Sequence, residues 1–264
     1  MRVHRTFLTP LAALALTALT SGQSAQQTKP AASHAAAPPP TITLRLLAFS
    51  SECEKDTVYL HDPAAQPTSP DAPPAPEGTK ADVKPYLNHE NVGVMARGNR
   101  IVMTDQAEGA SATKPANILC NINIPEHVHS AIVVVFPAAP GAKPPMQALT
   151  ISDATSTFPR GSFLVLNRSP LPVKLSLESK TFGFKPGETQ LIKDPPVGPN
   201  HNSAMYAYAF QANDWKRIGS GFWPHPGTKR SVQVLYFNPG SQYVELRSFN
   251  DIAVRDPAPA SSVH

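Results

Sequence analysis

The sequence predicts an all-β protein of sandwich type, and three observations predict it. Proline supplies 30 of the 264 residues, against a usual share of about 5%, and proline breaks helix interiors. From Thr41 onward, short apolar runs recur at about ten-residue spacing between Gly-, Pro- and Asn-bearing turns, the pattern of a sandwich or barrel. No amphipathic helix longer than ten residues can be drawn. The expectation is two small immunoglobulin-like sandwich domains at residues 41–140 and 146–256. The alternative is one continuous sandwich.

The N-terminus comes first. Arg2 and Arg5 precede an apolar stretch from Phe7 to Leu19, followed by small residues including Gly22 and Ser24. That order reads as a secretory signal over residues 1–24. The apolar stretch falls short of the ~20 residues that span a bilayer, so no transmembrane span is expected after cleavage. The expected location is the periplasm or outside the cell. Losing Arg2 and Arg5 lowers the formal net charge of +4 by two. The remaining Lys and Arg form no run, so nucleic acid, which wants a basic patch or stripe, is not expected as a partner.

Residues 25–40 are an Ala/Pro-rich stretch without apolar periodicity and read as a disordered tether. Residues 257–264 read as a disordered tail. The first strand signal is Thr41 to Phe49, with Ile42, Leu44 and Leu46 on one face. Thr57 to Leu60 is a second. Residues 61–82 hold six prolines among Ala, Asp and Ser and read as a long disordered insertion. Gly93–Ala96 and Arg100–Met103 are strands across a Gly98-Asn99 turn. Ala116–Ile124 is another. Ser130–Phe136 is a continuous apolar run expected of a strand buried on both faces. The prolines from Pro137 to Pro145 read as the break between halves.

In the second half, Ser162–Asn167 and the alternating Val173–Leu177 are strands. Lys185-Pro186-Gly187-Glu188 suits a type II turn. Gln190–Ile192, Met205–Phe210, Trp215–Trp223, Ser231–Phe237 and Tyr243–Phe249 complete the set. Ser130–Pro137 echoes Ser231–Asn238. A Pro-Gly turn and a strand ending in Asp153 or Asp251 follow each. A duplicated half would explain the echo, and so would chance similarity between buried strands.

The Phe158–Ser169 segment, the Lys185–Glu188 turn and the Lys229-Arg230-Ser231-Val232 strand start together resemble a group of exported bacterial β-rich proteins with no characterised activity. The resemblance covers the second half, rests on structural turns, and implies export and a β fold.

Four constellations could carry chemistry. His127 and His129, if in a strand, would point to one face and could begin a copper or zinc site; Pro125 just before them favours a solvated loop instead. A third ligand would have to come from Cys120, His89, His201 or His225. Cys53 and Cys120 are the only cysteines; an oxidising compartment would pair them, closing a loop worth about 4 kcal/mol in chain entropy, and the alternative is two buried free thiols or one serving as a metal ligand. Tyr206, Tyr208, Trp215, Phe222 and Trp223 cluster in sequence; Tyr206, Tyr208, Trp215 and Trp223 form a candidate ligand platform, set against a core role. Asn167-Arg168-Ser169 matches a glycosylation sequon. Around Ser220 the nucleophile elbow fails, because Ile218 and Phe222 stand where glycines are needed. No catalytic residue and no cofactor is assigned.

The expected function is therefore a non-enzymatic exported sandwich protein with an envelope-associated, structural or ligand-binding role. Its expected partner is an envelope protein or a polysaccharide. The alternatives are a periplasmic metal-handling protein using His127 and His129, and a hydrolase with a dispersed site.

Overall fold

A computed structural model describes residues 41–69, 71–87, 91–238 and 241–252. Residues 1–40 and 253–264, where the signal, tether and tail are expected, lie outside the described residues. The sixteen strands are β1 (Thr41–Ala48), β2 (Lys55–His61), β3 (Thr79–Val83), β4 (Val92–Met95), β5 (Arg100–Thr104), β6 (Ile118–Asn123), β7 (Ser130–Pro137), β8 (Met146–Ser152), β9 (Phe163–Asn167), β10 (Val173–Leu177), β11 (Lys180–Phe184), β12 (Thr189–Ile192), β13 (Asn202–Gln211), β14 (Asp214–Pro224), β15 (Arg230–Asn238) and β16 (Tyr243–Asp251). Among the described residues the helical segments are three short 3₁₀ turns, and none is long and apolar enough to cross a membrane. The all-β sandwich expectation holds.

The strands form four four-stranded sheets, ordered β4-β1-β7-β8, β3-β2-β5-β6, β12-β9-β15-β16 and β11-β10-β13-β14. Adding eight to every strand number of the first two sheets produces the last two. The pairing agrees as well: β1 runs parallel to β7 and β9 parallel to β15, while the other pairs are antiparallel. The two halves share one eight-stranded topology.

The echo in the sequence belongs to this repeat, with a shift of one residue. Ile132 and Val134 lie with Val232 and Val234 in one core. Ser130 thus corresponds to Arg230, not to Ser231. In a strand, one residue of slip moves every side chain to the opposite face, so burial decides the register.

Three cores separate the four sheets. Leu44, Leu46, Val133 and Val135 pack with Val58, Leu60, Ile101, Met103 and Ile122 inside the first half. Phe163, Val165 and Leu235 pack with Val173, Leu175, Met205 and Ala207 inside the second. Between the halves, Leu47, Ile132, Val134 and Phe136 meet Leu164, Leu166, Val232 and Phe249. β7 therefore contributes alternate side chains to two cores, which is why its sequence is apolar without alternation. Each such Val, Leu, Ile or Phe contributes about 1.5–3 kcal/mol when fully buried.

Three expectations change. The proline stretch after β7 is a connection within a sheet: β8 pairs with β7 from Ala131–Ser152 to Pro137–Met146. The halves divide between Ser152 and Phe163, because β8 has its hydrogen-bonding partner upstream. β4 and β5 do not pair across Gly98-Asn99; they join opposite sheets. The insertion 61–82 is built into the fold. Ala81 reaches the core, Gln66 donates to the Gly109 carbonyl at 2.8 Å, and the Gly78 amide donates to the Ala107 carbonyl at 2.8 Å. Gly109 is what permits this packing, since a Cβ there would meet the Ala75 and Pro76 carbonyls at 2.5 Å. The Lys185–Glu188 turn forms as expected, with Gly187 at φ +77° and the Glu188 amide bonded to the Lys185 carbonyl at 3.1 Å.

Candidate functional site

The platform expected from the aromatic cluster is decided by a β-bulge. β13 and β14 pair Phe210 with Trp215 and Tyr208 with Arg217. After a register shift at Ala207/Tyr208, they pair Tyr206 with Ser220, Ala204 with Phe222 and Ser203 with Trp223. Ile218 is the extra residue. A bulge reverses the parity of the strand beyond it. Trp215 and Trp223, eight residues apart, therefore point to opposite faces.

Trp223 turns inward, 7% exposed, with its ring 4.9 Å from that of Phe163. It is a core residue and leaves the predicted platform. Phe222 takes the outward place and is 74% exposed. Tyr206 and Tyr208 face outward as expected, opposite to the core residues Met205, Ala207 and Ala209. Phe210, absent from the predicted platform, joins them, its ring 5.3 Å from Trp215. Alternation along the strand sets it on one face with Tyr206 and Tyr208, as the sequence pattern implies. Lys174, opposite Tyr208 on β10, lays its Nζ 3.9 Å from the Trp215 ring centre and 5.8 Å from that of Tyr208. The result is an outer sheet face of five aromatic rings with Lys174 and Arg217 among them.

The two histidines do not share a strand face. His127 lies in a turn with φ +64°, and His129 precedes β7; both are exposed. They line one open cleft of about 450 Å³ with Arg97, Asn99, Ile124 and Glu126. Among the described residues, no group of three or more His, Cys, Asp and Glu side chains is placed to hold a metal. Of the proposed third ligands, Cys120 is buried in the first core. His225 accepts the Gly227 amide through Nδ1 at 3.0 Å, His201 sits in the turn before β13, and His89 lies outside the described residues.

Cys53 and Cys120 are free thiols within the same core. Burial pushes Cys120 up to about 12, with the nearby Cys53 thiol adding to the effect; burial raises Cys53 as well. Neither is a nucleophile at neutral pH. Asn167 of the sequon is fully buried and donates to the Leu171 carbonyl at 2.8 Å and the Lys185 carbonyl at 3.1 Å. It braces a turn and is closed to a glycan in the folded chain.

Two polar clusters escaped sequence reasoning. His61, 3% exposed, approaches Thr104 Oγ1 at 2.8 Å, the Gln106 carbonyl at 3.1 Å and Ser111 Oγ at 3.3 Å through Nε2. Its Nδ1 has no partner, and a Cβ on Gly78 would strike the ring at 2.5 Å. No carboxylate orients this imidazole, so the Ser-His contact lacks the third member of a triad.

The second cluster joins the halves. Arg45 is bidentate to Asp153 at 2.7 and 3.0 Å and to Asp251 at 2.7 and 2.9 Å. Arg230 bonds Asp251 at 2.9 Å, Asp153 through its carboxylate, and the Phe158 carbonyl at 2.7 Å. All four side chains are buried, and the charges cancel in pairs. Burial works against the Asp251 carboxylate, but the hydrogen bonds from Arg45 and Arg230 outweigh it and hold its pKa below the usual range.

No known family matches this chain, and no curated protein matches it.

Proposed function

We propose that the chain is a non-enzymatic, exported protein of the bacterial envelope whose ligand-binding role is carried by the outer face of β11-β10-β13-β14. The observation that carries this reading is the set of Tyr206, Tyr208, Phe210, Trp215 and Phe222 on one sheet face, away from the core. Singly exposed apolar residues need no explanation, but a contiguous apolar patch rimmed by polar residues marks an interaction site. Large rigid rings supply contact area at low entropic cost. Export rests on the layout of residues 1–24. Mass spectrometry of the exported protein should find a chain beginning near residue 25. An intact Met1 would defeat the localisation.

The binding test is co-sedimentation of the exported protein with envelope material. Wild type should sediment, and the Tyr206→Ala/Trp215→Ala double variant should stay in the supernatant. Equal sedimentation of both would remove the face from the mechanism. In an oxidising compartment we also expect Cys53 and Cys120 to pair, since both thiols occupy one core. Titration of the unfolded exported chain should then find no free thiol; two per chain would show the bridge is absent.

A further inference from the structure

The chemistry of the same face narrows its ligand, on the assumption that the face is the binding surface. Tyr206, Tyr208 and Phe210 repeat every second residue along β13, about 7 Å apart. With Phe222 beyond Tyr206 and Trp215 beside Phe210, the row extends for roughly 20 Å. A row of that length is matched to an extended polymer, not to a single small molecule. The rings all stand on the outer side of the sheet, and a row of aromatic faces suits a ligand that offers a succession of flat faces. Hydroxyls stand among them: Ser176 and Thr181, 3.2 Å apart, Ser220 opposite Tyr206, and the two phenols.

Charge decides the rest. The outward positions within these strands carry Lys174 and Arg217; the carboxylates nearest them, Glu178 and Asp214, sit at the strand ends and are bonded to the Ala204 and Trp215 amides at 2.6 and 2.7 Å. The ion pairs among the described residues involve neither cation. Lys174 is held by the Trp215 ring instead. Across from it stands Gly183, where an added Cβ would meet nothing within 4 Å. No side chain faces the lysine from that position of β11.

We propose that the ligand is an acidic polysaccharide, lying along β13 with its sugar faces on the aromatic row and its carboxylates at Lys174 and Arg217. Alternating ring faces, hydroxyl groups and spaced negative charges are what this surface complements. Single-stranded nucleic acid shares the stacking and the charge. The two isolated cations, however, do not form the continuous basic groove that tracks a phosphate backbone.

Affinity electrophoresis of the exported full chain tests this. The gels contain polygalacturonate or alginate as acidic polymers, and xylan or mixed-linkage glucan as neutral ones. An oligo-dT probe is followed separately by fluorescence anisotropy. The acidic polymers should retard the wild type most, and salt should weaken the effect. Lys174→Gln/Arg217→Gln should lose roughly 2- to 30-fold in affinity for them, the span of two exposed charge contacts. Its circular dichroism should be unchanged. Tyr206→Ala/Trp215→Ala should lose retardation by every polymer. Equal retardation by neutral and acidic polymers, untouched by the charge variant, would overturn the acidic ligand and leave the binding face standing. Retardation by no polymer would overturn both. Tighter binding to oligo-dT would overturn the polysaccharide in favour of nucleic acid.

Discussion

The outer sheets of the two halves have the same strand order and pairing but opposite surroundings. On β3-β2-β5-β6, the outward side chains His61, Val102 and Thr104 are buried beneath the proline-bearing insertion and the 3₁₀ turn Gly109–Thr113, while Lys80, Arg100 and Asn123 on the same side stay exposed. On β11-β10-β13-β14, the equivalent face is bare and set with aromatic rings. One topology thus occurs twice, once partly plugged by its own chain and once left open. A sheet face with one side on a core must present its other side to something. The first half covers part of that side with its own chain, and the second leaves its aromatic rings uncovered.

The largest expected effect breaks the joint that holds the two regions together. Asp251→Ala leaves Arg45 and Arg230 short of a carboxylate in a dry interface. We expect a loss of about 3–5 kcal/mol, read from urea unfolding. A loss below about 1 kcal/mol would show the cluster to be dispensable. The carboxyl of Asp251 has a folded pKa below its unfolded value of about 3.9. Its contribution is therefore complete above that unfolded value and drains as pH falls toward the folded one.

The two tryptophans sharpen the contrast between buried and bare faces. Trp223→Ala should cost about 3–5 kcal/mol through a core cavity. Trp215→Ala should change stability by under about 1 kcal/mol while removing binding. Iodide should quench the Trp215 fluorescence and leave that of Trp223. Equal quenching of both would refute the bulge-driven inversion.

Two glycines give a smaller, matched pair. Gly109→Ala, on the covered side, pushes against backbone carbonyls and should cost about 1–3 kcal/mol. Gly183→Ala, on the bare side, meets open space and should stay within about 0.5 kcal/mol. Similar values would erase the distinction between the faces.

The smallest effect belongs to His61. Burial lowers its pKa, partly offset by its hydrogen bond to the Gln106 carbonyl and by Glu108. A lowered imidazole pKa means the unfolded chain takes up the proton first. Stability should fall as pH drops below about 6.5, no more steeply than the one-proton limit of about 1.4 kcal/mol per pH unit. Asp62 and Glu77 flank the site in sequence, so the control is His61→Gln, which should remove this component alone. An unchanged slope in His61→Gln would assign the pH dependence elsewhere.

Most strands were legible because strand structure is local. Alternation marked β10 and β13, a continuous apolar run marked β7, and Pro-Gly marked the turn before β12. The site was half legible. Tyr206, Tyr208 and Trp215 lie on the outer face, while Trp223, grouped with them because the rings cluster in sequence, turns inward past a bulge that only pairing with β13 reveals. For His127 and His129, Pro125 already favours a loop over a shared strand face, and the left-handed conformation of His127 makes it a turn.

By itself the sequence determined the all-β class, the alternating faces and the tight turns, since these follow from steric preferences and hydrophobic period within a few residues. Tertiary structure alone decided the partner of β8, the cover over the first outer sheet and the exact repeat of topology. It also assembled Arg45, Asp153, Arg230 and Asp251, in which Arg45 meets partners 108 and 206 residues away. The reason is physical. A buried charge is tolerable only beside its counter-charge, and which distant residue supplies it depends on how the sheets stack, a relation that no local pattern encodes.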